Sequence, residues 1–118
     1  MGLWLKPAQD LTFPFVRPQE NGNRTDVRWL VLADGHGRVL GAKADAGLMA
    51  FSLWPYTQED LEGATHDHKL PVRPFRTLNL DHAQMGVGGD DSWGARPHLE
   101  YTLLPNRDYA WRVVLTPR

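Results

Sequence analysis

No segment of this chain runs far before a helix breaker or a turn dipeptide interrupts it. Pro7, Pro14 and Pro18 punctuate the start. Each fixes φ, removes an amide donor and biases the preceding residue toward extended backbone, so residues 1–18 read as extended chain. Gln19-Glu20-Asn21-Gly22-Asn23 is a polar turn, with Asn21-Gly22 its strongest dipeptide. Asp34-Gly35-His36-Gly37, Asp45-Ala46-Gly47 and Pro105-Asn106-Arg107-Asp108 are further turns. Such spacing leaves room for short strands and little else.

The segments between the turns have strand character. Asp26 to Ala33 places Val27, Trp29 and Val31 on one face. Leu30 and Leu32 make the other face apolar too, as expected for a strand covered on both sides. Arg38 to Lys43 returns as a second strand, and Leu48 to Trp54 is a bulky third. Phe75 to Asp81 alternates well, and His98 to Leu103 reads as another strand. Tyr109 to Leu115 closes the chain, with Tyr109, Trp111 and Val113 on a core face.

One helix is predicted, over Thr57 to Glu62. Thr57 is a good N-cap, Asp60 stands at the capping-box spacing, and the acidic first turn suits the helix dipole. Gly63 and the residues after it end the helix. Its acids are accounted for by helix electrostatics, so no catalysis is assigned to them. Thr65-His66-Asp67-His68 invites a metal reading, but two histidines at i,i+2 make only half a site, and hydrogen bonding near the helix end suits them better. His36, in a turn beside glycines, reads as solvated.

A chain of 118 residues allows one domain with a modest core. The 13 basic and 14 acidic residues are mixed along it and leave a net charge of −1. With no basic block, neither nucleic acid nor an anionic membrane is an expected partner. The absence of cysteine removes disulfides and thiolate zinc sites. No apolar run reaches membrane-span length and no signal-peptide layout opens the chain, so a cytoplasmic location is expected.

Asp81-His82-Ala83-Gln84-Met85-Gly86-Val87-Gly88-Gly89-Asp90-Asp91-Ser92-Trp93-Gly94 stands apart. Its glycine density marks a tight irregular loop. Asp90, Asp91 and Ser92 have short side chains that bond neighbouring amides and lock such loops. Trp93 is therefore held on a braced turn, either packed inward as an anchor or facing outward as a flat platform for a sugar. Glu20, Asn21, Asn23 and Arg24 leave two similar alternatives, contacts to a ligand's hydroxyls or a self-bonded loop with Arg24 paired to an acid.

The "MGVGGDDSWG" stretch, Met85 to Gly94, resembles a signature near the C-terminus of the large bacterial β-galactosidases, in their C-terminal small-chain β-domain. "RPQENGNRTDVRW", Arg17 to Trp29, is similar to a second signature of that domain. "YTQEDLEGATHDHKLP" and the closing "YTLLPNRDYAWRVVL" fit as well. The resemblance runs from about Phe13 to Leu115 and assigns 13–118 to a partial small-chain domain. Residues 1–12 are left as an N-terminal extension or a fragment start.

The strands alone argue for an all-β fold, an antiparallel β-sandwich with one short helix. The resemblance implies that this is part of a larger, galactose-mutarotase-like supersandwich, whose missing portion would leave edges and apolar faces bare. An oligomer or a companion chain is therefore expected. It also implies that the catalytic glutamates lie in a separate (β/α) barrel. The retaining route needs two carboxyl groups facing each other about 5 Å apart across the scissile bond; the tempting pair, Asp90 and Asp91, are adjacent residues that point opposite ways and suit bracing amides instead. Carried over, Trp93 is the substrate-binding residue, a stacking platform for the aglycone. Gly88, Gly89, Asp90, Asp91 and Ser92 are its loop supports. The family's Mg and Na are bound elsewhere in the full enzyme, so no cofactor is expected in this chain.

The expected function is thus a C-terminal segment that completes a β-galactosidase active site for terminal β-galactosides such as lactose, and is inactive alone. The alternative is a stand-alone galactose-binding module. A mutarotase-like epimerase is the remaining reading, since half a sandwich is poorly able to enclose its pocket.

Overall fold

A computed structural model describes residues 2–86, 88–91 and 93–118. The fold is all-β, of the antiparallel sandwich class with one short helix. In chain order the strands are β1 (Arg24–Val27), β2 (Trp29–Ala33), β3 (Val39–Ala44), β4 (Met49–Trp54), β5 (Thr77–Asp81) and β6 (Val113–Pro117). The helix is α1 (Gln58–Gly63). One three-stranded sheet has the order β1-β4-β5 and the other β2-β3-β6. The chain divides into two compact units, residues 1–26 with 50–80, and 27–49 with 81–118.

The first unit holds a core of Trp54, Tyr56 and Leu61, with Leu70 packed against it. The rings of Trp54 and Tyr56 stack with centroids 6.0 Å apart and planes inclined by 29°. β4 is central in its sheet, and Ala50, Ser52, Leu53 and Trp54 are all buried, so both faces of this strand are covered. Ser52, polar in that setting, accepts a hydrogen bond from Asn79 Nδ2 at 2.9 Å. α1 is capped as its sequence predicts. Thr57 Oγ1 accepts from the Asp60 amide at 3.1 Å, and the Asp60 carboxylate accepts from the Thr57 amide at 3.0 Å.

In the second unit β2 and β3 run antiparallel, with Leu30 opposite Ala42 and Trp29 opposite Lys43. β6 pairs antiparallel on the other edge of β3, with Val114 opposite Lys43. The turn between β2 and β3 is closed by Asp34, whose Oδ1 accepts the amides of His36 and Arg38 at 2.8 and 3.0 Å. These bonds, the Arg38 amide first, hold the Asp34 carboxyl below the usual carboxylate range. His36 is exposed in that turn.

Three expectations are corrected. The strand predicted over Asp26–Ala33 breaks at Arg28 into β1 and β2, which join different sheets. Asp26, inside β1 and two residues before the break, has φ of 60°, a left-handed conformation that aspartate tolerates better than most residues. Only one face of β2 is covered, for Leu30 is buried whereas Trp29 and Val31 are exposed. The strand predicted over His98–Leu103 is instead a 3-10 turn at Leu99–Tyr101, because the amides of Tyr101 and Thr102 bond back to the carbonyls of His98 and Leu99.

The closing strand also starts later than its pattern predicts. β6 begins at Val113, so Tyr109 and Trp111 lie outside it, both exposed. Trp111 stacks on the His82 ring with centroids 5.6 Å apart, and Arg107 lies over the Tyr109 ring. Aromatic and cationic partners replace the expected core face at these two positions.

Candidate functional site

Asn21 to Arg24 belongs to the scaffold. The Asn21 side chain accepts from the Phe13 amide at 2.9 Å and donates to the Gln19 carbonyl and the Tyr56 hydroxyl, at 3.0 and 2.9 Å. Its own carbonyl accepts the Trp54 indole N–H at 2.8 Å. Gly22, with φ of 72°, lies so close to the Leu11 carbonyl that a Cβ would overlap it. Arg24 donates to the carbonyls of Leu11 and Gly22, so backbone rather than the expected acid is its partner. The self-bonded alternative describes this loop, and Asn21 is buried.

The histidines after α1 bring no metal set together. The rings of His66 and His68 are 5.5 Å apart, and His66 Nδ1 lies 3.2 Å from Thr65 Oγ1. Among the described residues, no group of three or more histidine, cysteine, aspartate or glutamate side chains could hold a metal ion.

The glycine-rich stretch forms a loop cross-linked at several levels. Near its base, the Gly86 amide donates to the Tyr101 carbonyl at 2.7 Å. Higher up, Gly89 passes so close to Ala95 that an added Cβ would sit 2.3 Å from the Ala95 carbonyl oxygen. Only a residue without a side chain permits that approach. Asp91 Oδ1 accepts the amides of Trp93 and Ala95 at 2.8 and 3.1 Å. These bonds, Trp93 first, lower the Asp91 carboxyl from its ordinary value. Gly88 and Gly94 both have positive φ.

Asp90 points elsewhere. Its two carboxylate oxygens lie 2.9 and 3.0 Å from His98 Nε2. A carboxylate can only accept, so Nε2 carries the proton of this bond. Asp90 and Asp91 are thus each engaged by groups of the loop itself. Ser92, the remaining expected support, lies outside the described residues. Gly86, Gly88, Gly89, Asp90, Pro97, His98 and Tyr101 line a shallow open depression of about 330 Å³.

Trp93 extends from the upper part of this loop with its side chain unpacked. It is 93% exposed, so the inward-anchor alternative does not describe it. The structure thus brings together Gly88, Gly89, Asp90, Asp91 and Trp93, and adds His98, which the sequence pattern does not single out. Eight residues separate His98 from Asp90 across an irregular loop, and no periodicity links two such positions.

A braced loop carrying an exposed indole thus stands on an all-β scaffold. Comparison with known proteins is specific. The family model for the beta galactosidase small chain matches residues 1–115. The beta-galactosidase of Priestia megaterium is 44% identical over 106 residues, which are 88% of this chain and 10% of the relative. Beta-galactosidase BgaC of Bifidobacterium adolescentis is 41% identical over 117 residues, 98% of this chain and 11% of the relative. That of Lactococcus lactis is 38% identical over 112 residues. The chain belongs to the beta galactosidase small chain family. It spans about a tenth of the length of these relatives. No helix among the described residues is long and apolar enough to cross a membrane.

Proposed function

We propose that this chain is the segment of a β-galactosidase that completes the active site of a separate catalytic barrel. There Trp93 forms the platform on which the aglycone of a terminal β-galactoside such as lactose stacks. The observation that carries this reading is the exposed Trp93 indole on a loop held by Asp91 and closed by Gly89. A sugar's C–H face packs on an aromatic plane, and a plane held in place in advance loses less entropy on binding. The chemistry of glycoside cleavage belongs to two facing carboxyl groups on the barrel, and the chain alone is inactive. It acts in the cytoplasm, assembled with its barrel, and needs no metal of its own.

Complementation tests this on a chromogenic β-galactoside. The chain alone, a barrel-containing partner truncated before this segment, and the mixture are compared, with Trp93→Ala as a control. Activity only in the mixture, weakened by the substitution, is the expected result. Association without activity would sink the reading, and activity from the chain alone would overturn it.

The depression with Tyr101, Asp90 and His98 in its wall favours a second reading, a galactose-binding module. A tryptophan fluorescence change on adding galactose would support it. No response at high sugar would count against it.

A further inference from the structure

We propose that His98 is a positioning residue, which through its bond to Asp90 holds the loop that presents Trp93. The inference rests on the platform reading of Trp93 and adds the device that orders it. The loop's contacts fall into two groups. The Gly86 amide bonds to the Tyr101 carbonyl, and Gly89 passes close against the Ala95 backbone. Asp91 reaches two and four residues ahead, to the amides of Trp93 and Ala95. Those bonds shape the turn but do not tie it to the returning chain beyond Ala95.

Asp90–His98 supplies that tie by side chains, from just before Trp93 to three residues beyond the Asp91 contacts. The imidazole meets both carboxylate oxygens, so rotation of the carboxyl group is constrained as well as its distance. The backbone around His98 is itself restrained. Pro97 fixes φ on one side, and the Tyr101 amide bonds to the His98 carbonyl at 2.9 Å on the other. His98 is therefore the better-anchored partner, and Asp90, on the glycine-rich arm, is the one it restrains. Both side chains are more than half exposed. The bond is correspondingly weak, and its effect belongs to loop order rather than to global stability.

The test is made first on the full chain by ¹⁵N relaxation, which reads the order of the Trp93 and Gly94 amides on the fast timescale. His98→Ala lowers those order parameters while β2, β3 and β6 keep their chemical shifts. Asp90→Ala does the same, and the double variant loosens the loop no further. His98→Gln, whose side-chain N–H can replace Nε2–H, restores the order. Unchanged order in His98→Ala overturns the proposal, as does an equal loss in His98→Gln. Should His98→Ala fail to fold, Asp90→Ala decides alone, and an unaltered loop in it refutes the idea.

In the complemented enzyme, His98→Ala raises KM about threefold with kcat near wild type, as expected from losing one exposed hydrogen bond. A KM change from Trp93→Ala without one from His98→Ala overturns the positioning role and leaves the platform standing. Indifference to Trp93→Ala refutes the platform instead, and the relaxation result then decides whether His98 orders the loop.

Discussion

The indole N–H of Trp54 donates to the backbone carbonyl of Asn21 at 2.8 Å, and the Asn21 side chain donates to the hydroxyl of Tyr56 at 2.9 Å. A single turn residue is thereby bonded to both aromatics of the core. Asn21→Ala leaves the buried Tyr56 hydroxyl without this donor and releases the Phe13 amide from its acceptor. Its expected cost is about 2–3 kcal/mol, roughly 10 °C in melting temperature. Tyr56→Phe, which removes only the hydroxyl, should cost about 1 kcal/mol. Thermal denaturation of the two variants checks the order, and equal losses would contradict it.

Asp60 carries both the helix cap and an ion pair. Arg73 donates to its two carboxylate oxygens at 2.9 and 2.6 Å. The Arg73 bond first, and then the Thr57 amide, hold the Asp60 carboxyl far below its ordinary value. The folded state therefore keeps this proton off at a pH where the unfolded chain takes it up. The stabilisation is complete above the ordinary aspartate range and is lost as the pH falls through and below about 4. Asp60→Asn should flatten the decline of urea midpoints between about pH 5 and pH 2.5. A slope identical to wild type would show that Asp60 has no part in it.

Gly89 is constrained by space. A Cβ there would meet the carbonyl oxygen, carbonyl carbon and Cβ of Ala95 at 2.3, 2.6 and 2.8 Å. Gly89→Ala must spread the two arms of the loop, while the core around Trp54 lies in the other unit and should keep its stability. Amide exchange should quicken at Trp93 and Ala95 and stay slow in β4. Unaltered exchange at both loop amides would mean that the close approach is not needed for order.

Trp93 separates platform from packing through size. An indole that is 93% exposed contributes little to folding in this chain, so Trp93→Ala should leave its melting temperature within about 2 °C. In the complemented enzyme the same change should raise KM for a chromogenic galactoside about tenfold, and Trp93→Phe only part of the way. A large loss of thermal stability would instead reveal a structural role.

Much of the local structure was legible because local bonds decide it. The Thr57–Asp60 capping box and the Asp34 turn close within three or four residues, and their residue types match the bonds they make. The glycine-rich loop and its tryptophan were legible in the same way. The break at Arg28 was less so. Alternating apolar residues continue across it, and the positive φ of Asp26 is one that aspartate tolerates but does not require.

The amino-acid sequence by itself determined the all-β class, the single capped helix, the turns and the family, since each is written in contiguous residues. Only the tertiary structure decided that Asn21 bonds to Trp54 and Tyr56 across more than thirty residues, that Trp111 stacks on His82 outside the core, and that His98 faces Asp90. These contacts join residues that no periodicity relates. They form where folding brings distant polar and aromatic groups together, and their stability depends on partners that a local pattern does not contain.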